Sequence, residues 1–438
     1  MMAIVWVAMA CLLWPRNSFL ETPAPRLRLS HNISSMDPPA QGRRYSTLTC
    51  WRSHPGTPVE LFTTCHATDV CFDGLRWLFF PPANPSVSVL SPEAADLAGA
   101  LASVARLGGY ENSPLFSMEP APFDRAALDA SACFSPHPTV LTAFTLANPM
   151  WFHWVLDDLL GLFWTLQTHN LTAAPDLAIL NLSPLPHPWS RMLADYFSPN
   201  HPVAALPSGP ALSCYSSLYL GPAHHHFGGP GRVQLQRPLL STFASHFLRA
   251  LPPPPSPPPT VPARPYLLVV NRRADRLILN FEALLEAVSR ALAHRFTVIP
   301  FVFEDHPHHL QLQYLRHAAG LVSTHGSQLT NMIWLSALSS PPCVLEIFPY
   351  NFSRPTYRDL ASLLGIRHRA WHNPHLHHTR FHPEILHDRH LAPPQIEAII
   401  QNPHSVYHSW PANLYWVNQD TIVDSDQIIH QLLGCFDN

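Results

Sequence analysis

The chain has 438 residues, 47% of them apolar, which is enough for a sizeable core spread over two domains or three. Its 26 basic side chains are all arginine and face 29 carboxylates, so the net charge is −3 and no basic excess exists to neutralise a nucleic-acid backbone. The absence of lysine beside 49 prolines and 29 histidines carries the mark of GC-rich codons, so abundant histidine says little by itself about metal.

Residues 1–46 read as a signal peptide or signal anchor followed by a stem. The apolar run from Ala3 to Trp14 falls short of the roughly 20 residues that a bilayer-spanning helix needs, and Arg16, Arg26 and Arg28 follow rather than precede it. Contact with a membrane is expected only through this segment. A secretory route would oxidise cysteines. Cys50, Cys65 and Cys71 lie close enough for a short-loop bridge, Cys133, Cys214, Cys343 and Cys435 are scattered, and Cys343 reads as a simple core residue. Asn32, Asn170, Asn181 and Asn351 begin Asn-x-Ser/Thr sequons open to glycosylation on that route.

Residues 47–250 mix strands and helices and form an N-terminal, acceptor-side lobe. Within it, Asn148-Pro149-Met150-Trp151-Phe152-His153-Trp154-Val155-Leu156-Asp157-Asp158 begins a helix. His153 and Asp157 stand four apart and share a face, a pairing suited to deprotonating a hydroxyl, with Asp158 the alternate. The plainer reading is that these acids complement the helix dipole. Residues 251–265, dominated by proline, read as an extended connector.

Residues 266–438 form the C-terminal lobe. Strand Tyr266–Asn271, helix Phe281–Leu292, strand Phe296–Phe303, helix His309–Ala319, strand Gly320–Ser323, helix Leu329–Leu338 and strand Val344–Phe348 alternate as βαβαβαβ. That order predicts a parallel doubly wound sheet, with an irregular stretch from His368 to His390 and a closing helix near Ser425–Leu433. Ligands of such sheets bind outside the carboxyl ends of strands, where helix-start amides attract phosphate. Three segments fall there. Arg272 and Arg276 suit a bidentate phosphate clamp, although a solvated loop is the bland alternative, and Asn280 would brace the loop. His325, Gly326 and Ser327 offer donors and close backbone approach. Glu346, a lone carboxylate in an apolar strand, could accept from a ribose hydroxyl. Glu304, Asp305 and His306 at the next strand end either contact the nucleotide or cap the following helix.

These segments together resemble glycosyltransferase family 61. The resemblance rests on Asn148 to Leu166, Arg272 with Arg276-Leu277-Ile278-Leu279-Asn280, Glu304-Asp305-His306, Leu321 to Leu329, Leu345 to Tyr350 and Gln419-Asp420-Thr421, and it covers about Cys50 to Leu433. It implies a GT-B-like α/β enzyme with two Rossmann-type lobes and an active site in the cleft between them. It further implies inverting transfer of N-acetylglucosamine from UDP-N-acetylglucosamine to a glycoprotein or O-mannosyl peptide, in β-1,4 linkage to O-mannose. The place implied is the lumenal side of the endoplasmic reticulum membrane, with the Golgi or secretion as alternatives. Other members transfer N-acetylglucosamine to folded protein modules or xylose to glycans, and an inactive sugar-binding relative is a further alternative. Ser327 stands where the family usually has alanine. The chain to Asn438 is expected to lack the fibronectin type III domain that follows the catalytic region of some members. Arginines and amides would neutralise the diphosphate, so neither cofactor nor metal is expected. His224-His225-His226, the His372, His375, His377 and His378 group, and Asp424-Ser425-Asp426 lack the spacing or context of a metal site.

Overall fold

The computed structural model describes residues 46–52, 63–73, 76–80, 118–121, 139–143, 151–172, 174, 177–181, 203–205, 213–221, 233–250, 264–335, 341–387, 391–402 and 410–437. The apolar segment from Ala3 to Trp14, Asn32, residues 251–263 of the connector and His224 to His226 lie outside that set. Among the described residues no helix is long and apolar enough to cross a membrane. The chain divides into two compact units, Met1–Gly229 and Pro230–Asn438. The division falls ahead of the helix Val233–Ala250, which the sequence reading placed in the first lobe.

The first unit holds β1 (Thr47–Arg52), β2 (Thr63–Phe72), β3 (Trp77–Phe79), β4 (Met118–Pro120) and β5 (Thr139–Ala143). Helix α1 follows, with α-helical Trp151–His153 and Leu160–Thr168 on either side of a π-helical Trp154–Leu159. Then come β6 (Leu177–Asn181), β7 (Val203–Ala205) and β8 (Ser213–Leu220). The sheet order is β4-β3-β2-β8-β5-β6-β7, with β1 also on β2. Strands β8, β5, β6 and β7 are parallel, but β2 runs antiparallel to β1, β3 and β8. This sheet is therefore mixed, which departs from the wholly parallel order of a Rossmann-type lobe. Cys71 and Cys214 face each other across β2 and β8 and form a disulfide, so Cys71 is bridged over 143 residues rather than within a short loop. Cys65 is disulfide-bonded as well.

The second unit begins with α2 (Val233–Ala250) and continues through β9 (Tyr266–Asn271), α3 (Phe281–Leu292), β10 (Thr297–Val302), α4 (His308–Leu315), β11 (Ala318–Thr324) and β12 (Cys343–Phe348). It closes with α5 (Thr356–Leu364), β13 (Arg367–His372), β14 (Thr379–Arg380), α6 (Glu384–His387), α7 (Pro393–Gln401), α8 (Trp410–Val417), β15 (Asp420–Thr421) and α9 (Ser425–Asp437). Strands β10-β9-β11-β12-β13 form a parallel sheet in that order. Every residue of β11 and β12 is buried, as expected for parallel strands covered on both faces, which is why they read as unbroken apolar runs. On one face Leu267, Val269, Val322, Leu345 and Ile347 share a core with Leu284, Val288 and Leu292 of α3 and with Ile428 and Leu432 of α9. The four-residue spacing of those helical positions gives each helix one apolar stripe. Elsewhere in the unit, Phe243 and Phe247 of α2 pack their rings 5.8 and 5.0 Å from Trp334. Gly320 sits where a β-carbon would stand 2.4 Å from the carbonyl oxygen of Cys343, so the β11 to β12 approach at this point requires glycine.

Three sequence expectations change here. The segment after Gly326 is a 3-10 helix over Ser327–Trp334 rather than an α-helix to Leu338. The stretch from His368 is not irregular at its start, because β13 adds a fifth strand there. Cys343 is not a simple core residue, since it forms a disulfide with Cys435 of α9. Asp424 caps α9 by accepting from the amides of Asp426 and Gln427.

Candidate functional site

The strand order of the second unit fixes where its site lies. From β9 the chain moves outward to β10, then returns past β9 to β11 and continues in the opposite direction to β12 and β13. The order reverses between β9 and β11, and in such sheets a crevice opens beyond the carboxyl ends of the two strands. The loop after β9 carries Arg272 and Arg276, and β11 leads directly into His325 and Gly326.

The arginine loop is closed at its base and stapled to a distant segment. Asn271 exchanges two hydrogen bonds with the backbone of Ile278, at 2.9 and 3.3 Å. Asp420, fully buried, accepts from the Leu277 amide at 2.8 Å, and the backbones of Leu277 and Leu279 each bond Thr421. Asn280 does brace the loop, donating to the Val423 carbonyl at 2.8 Å and accepting from its amide at 2.9 Å. These bonds hold Arg276 in the left-handed region, φ 64°, a conformation that costs a non-glycine residue about 1 kcal/mol.

That conformation turns Arg276 toward Gly326. Its Nε donates to Asn418 Oδ1 at 2.8 Å and its Nη1 to the His325 carbonyl at 3.3 Å. Arg272 donates to Gln328 Oε1 at 3.2 Å and to Asp275 Oδ1 at 3.0 Å. A β-carbon built on Gly326 would stand 2.6 Å from Arg276 Nη1 and 3.1 Å from Arg272 Nη1, so both guanidinium tips lie against this glycine. Asp275, also 3.6 Å from Arg276 Nε, is the carboxylate paired with both. Two cations therefore share one anion in a largely buried place. Burial and the neighbouring Arg272 push the Arg276 guanidinium below its ordinary value, and Arg272 Nε is buried without an acceptor among the described residues. An incoming anion would relieve both deficits. Among the described residues the amides of Gly326, Ser327 and Gln328 have no backbone acceptor, and they open the 3-10 turn beside the pair.

Glu346 does not stand where the sequence reading put it. It is fully buried, with one oxygen 2.5 Å from His325 Nδ1 and the other 2.8 Å from His368 Nε2, so neither faces a ribose. Burial alone would raise its carboxyl, but donation by the two imidazoles leaves it below the usual carboxylate range. Burial holds His325 below the ordinary histidine value, with Arg276 and Arg354 adding to that effect against the pull of Glu346. The His325 ring lies among Phe348, Phe352 and Tyr357, with centroids 5.1 to 5.2 Å away.

The remaining candidates separate. Asp305 pairs with the exposed Arg273 at 2.7 Å, His306 stacks on Phe301 at 4.6 Å, and Glu304 lies in the 3-10 turn Phe303–Asp305. In the first unit the backbone puts His153 at the last α-helical residue before the π-helical segment that contains Asp157 and Asp158; their side chains are outside the described set. Such π-helical turns recur at functional sites. Asn170 follows α1 and Asn351 follows β12, both exposed in turns with φ near 55°, while Asn181 ends β6. His375, His377 and His378 cluster with ring centroids 4.4 to 5.1 Å apart, and no group of three or more His, Cys, Asp or Glu among the described residues is arranged to hold a metal ion. Asn418, Asp420, Gln328 and His368 were missed as site residues. Of these, Asp420 and Gln328 left a trace, inside the Gln419-Asp420-Thr421 motif and the Leu321 to Leu329 stretch.

A parallel α/β unit with paired arginines at its switch point has a layout that suits an anionic ligand. The comparisons narrow it: the family model for glycosyltransferase 61 matches residues 151–343. That stretch carries a glycosyltransferase 61 domain, and the chain is a glycosyltransferase. It is similar to protein O-linked-mannose β-1,4-N-acetylglucosaminyltransferase 2 of Bos taurus, 25% identical over 439 residues that span 94% of this chain and 72% of that protein. The Homo sapiens protein of the same name is 31% identical over 179 residues, 38% of this chain and 30% of its own length. That of Canis lupus familiaris is 28% identical over 301 residues, 62% of this chain and 50% of its own length.

Proposed function

We propose that this glycosyltransferase moves N-acetylglucosamine from UDP-N-acetylglucosamine to a protein-linked sugar, O-mannose in β-1,4 linkage, with inversion at the anomeric carbon and on a GT-B-like plan. The convergence of Arg272 and Arg276 on Gly326 carries the reading, because a departing nucleoside diphosphate needs paired, preorganised positive charge. The names of the relatives support the choice of donor sugar and acceptor. In this mechanism the acceptor hydroxyl attacks the anomeric carbon while the bond to the diphosphate breaks. The hydroxyl proton passes to the His153 and Asp157 pair, with Asp158 the alternate, and the charge of the leaving UDP rests on Arg272, Arg276 and the amides of Gly326 and Ser327. No divalent metal is needed for that charge. The setting we infer is the lumenal side of the endoplasmic reticulum membrane, reached through the N-terminal segment.

The test is transfer by the purified chain from a panel of UDP-sugars to O-mannosyl peptides, with the product linkage read by NMR. We expect a β-1,4-linked N-acetylglucosaminyl product, formed equally well in excess EDTA. Preference for UDP-xylose or for unmannosylated modules would replace the substrate assignment. Loss of activity on chelation with recovery on manganese would overturn the role given to the arginines.

A further inference from the structure

Glu346 and His368 are placed to govern a third group. A carboxylate with no exposure must be held by donors, and here both oxygens are held by imidazole nitrogens from β11's exit and from β13. His368 faces Glu346 from the neighbouring strand, two residues from Ala370, its register partner. With one oxygen fixed by His368, the other meets His325 Nδ1 at 2.5 Å. An ionised carboxylate only accepts, so the proton in this contact belongs to the histidine nitrogen. Burial keeps the His325 ring neutral, and a neutral ring protonated at Nδ1 carries a bare lone pair at Nε2. Nε2 has no partner among the described residues.

We propose that His368 is a positioning residue that, through Glu346, fixes His325 as the Nδ1–H tautomer, so that His325 Nε2 accepts a hydrogen bond from a hydroxyl of the bound sugar nucleotide. This rests on the reading of the arginine cradle as the donor site. It reverses the expectation that His325 serves as a donor to phosphate, a task left to the two guanidinium groups and the amides. The charged and titratable groups around His325 are consistent with it: Glu346 from β12, His368 and His372 from β13, Arg272 and Arg276 from the loop after β9, Arg354 ahead of α5, and Tyr357 within it. The cations among them disfavour a second proton on the ring, and Glu346 is the group in direct bonding contact with it.

The first measurement is the ring nitrogen spectrum of His325 in the intact wild-type chain, assigned by its loss in His325→Gln. A protonated Nδ1 with an unprotonated Nε2 is expected; protonation at Nε2 overturns the proposal without any variant needing to fold. His368→Leu removes the donor to Glu346, and His368→Gln restores an N–H in nearly the same place. His368→Leu is expected to lose the single tautomer and to weaken UDP or UDP-N-acetylglucosamine binding about tenfold, with kcat changed less than KM, and His368→Gln to recover most of both. Equal weakening for UDP and the sugar nucleotide locates the hydroxyl on ribose, and weakening of the sugar nucleotide alone locates it on the transferred sugar. Unchanged tautomer and affinity in His368→Leu would overturn the positioning role. If the wild type fails to bind UDP at all, the donor-site reading falls and takes the hydroxyl with it, whereas the tautomer measurement still decides what His368 does.

Discussion

The two units surround several of their histidines in opposite ways. In the first, His66 stacks on Tyr219 at 4.3 Å, His169 meets the same ring edge-on at 4.8 Å, and their polar bonds go to the hydroxyls of Ser217 and Thr64. In the second, His325 and His368 share Glu346, and His382 lies 2.9 Å from both Asp420 and Glu384. Every buried carboxylate among the described residues belongs to the second unit. Codon bias can set how many histidines a chain has, but not which of them stand against buried acids. The difference separates imidazoles used as aromatic filler from imidazoles wired to the charges around the arginine cradle.

The largest expected effect tests that wiring at its centre. Arg276→Ala removes a guanidinium held by Asn418 and the His325 carbonyl, and kcat/KM should fall by about 2 to 4 kcal/mol in transition-state terms, with circular dichroism unchanged. Kinetics within a factor of two of wild type would mean that the second unit's charge is structural only. Asp157→Asn asks whether the first unit, neutral in its described interior, nevertheless carries a reacting charge on α1. Turnover should drop by about 100-fold with UDP affinity unchanged, the size expected for loss of a general base. Parallel loss of UDP binding would assign the helix to the donor site. An active Asp157→Asn with an inactive Asp158→Asn would move the role by one residue.

What was legible in the sequence follows from locality. Strands β9 and β12 and helix α3 stand within a residue of where their apolar runs put them, since strands covered on both faces and a helix with one stripe leave unambiguous patterns. Arg272, Arg276 and Gly326 were legible because each follows a readable strand. Strand β13 was not, because Arg367-His368-Arg369 at the sheet edge alternates polar residues that an apolar pattern cannot reveal. Missing β13 hid His368, and without His368 the carboxylate of Glu346 read as a ligand contact rather than a buried anchor. The Asn418 to Val423 staple was equally hidden, for its partners in the arginine loop lie 142 and 143 residues away. So was the partner of Cys343, 92 residues distant.

A smaller effect probes the spacing rather than the charge. Gly326→Ala puts a methyl 2.6 Å from Arg276 Nη1, at the movable end of a long side chain, so the guanidinium shifts while the strand remains. Donor KM should rise about tenfold, roughly 1.4 kcal/mol, with the thermal midpoint nearly unchanged. A stability loss with donor KM intact would show that the contact matters to folding and that the pair has no ligand between its tips and the turn.

The smallest effect concerns the first unit's filler histidines and has a definite sign. Burial, and then the neighbouring His66, lower His169 from its ordinary value of 6.5 to about 4. An unfolded chain therefore binds a proton at this residue between about pH 6.5 and 4 that the folded chain refuses, and stability must fall as the pH falls through that interval. Because the ring is only partly buried, solvent screening reduces the expected contribution to about 1 kcal/mol. The check is denaturant unfolding from pH 7 to 4 of the wild type against His169→Gln, which keeps a polar group near Thr64 but cannot titrate. The variant's curve should be the flatter of the two over that range. If both curves fall together, His169 is not the source of the pH dependence, and the energetic role given to this filler histidine falls.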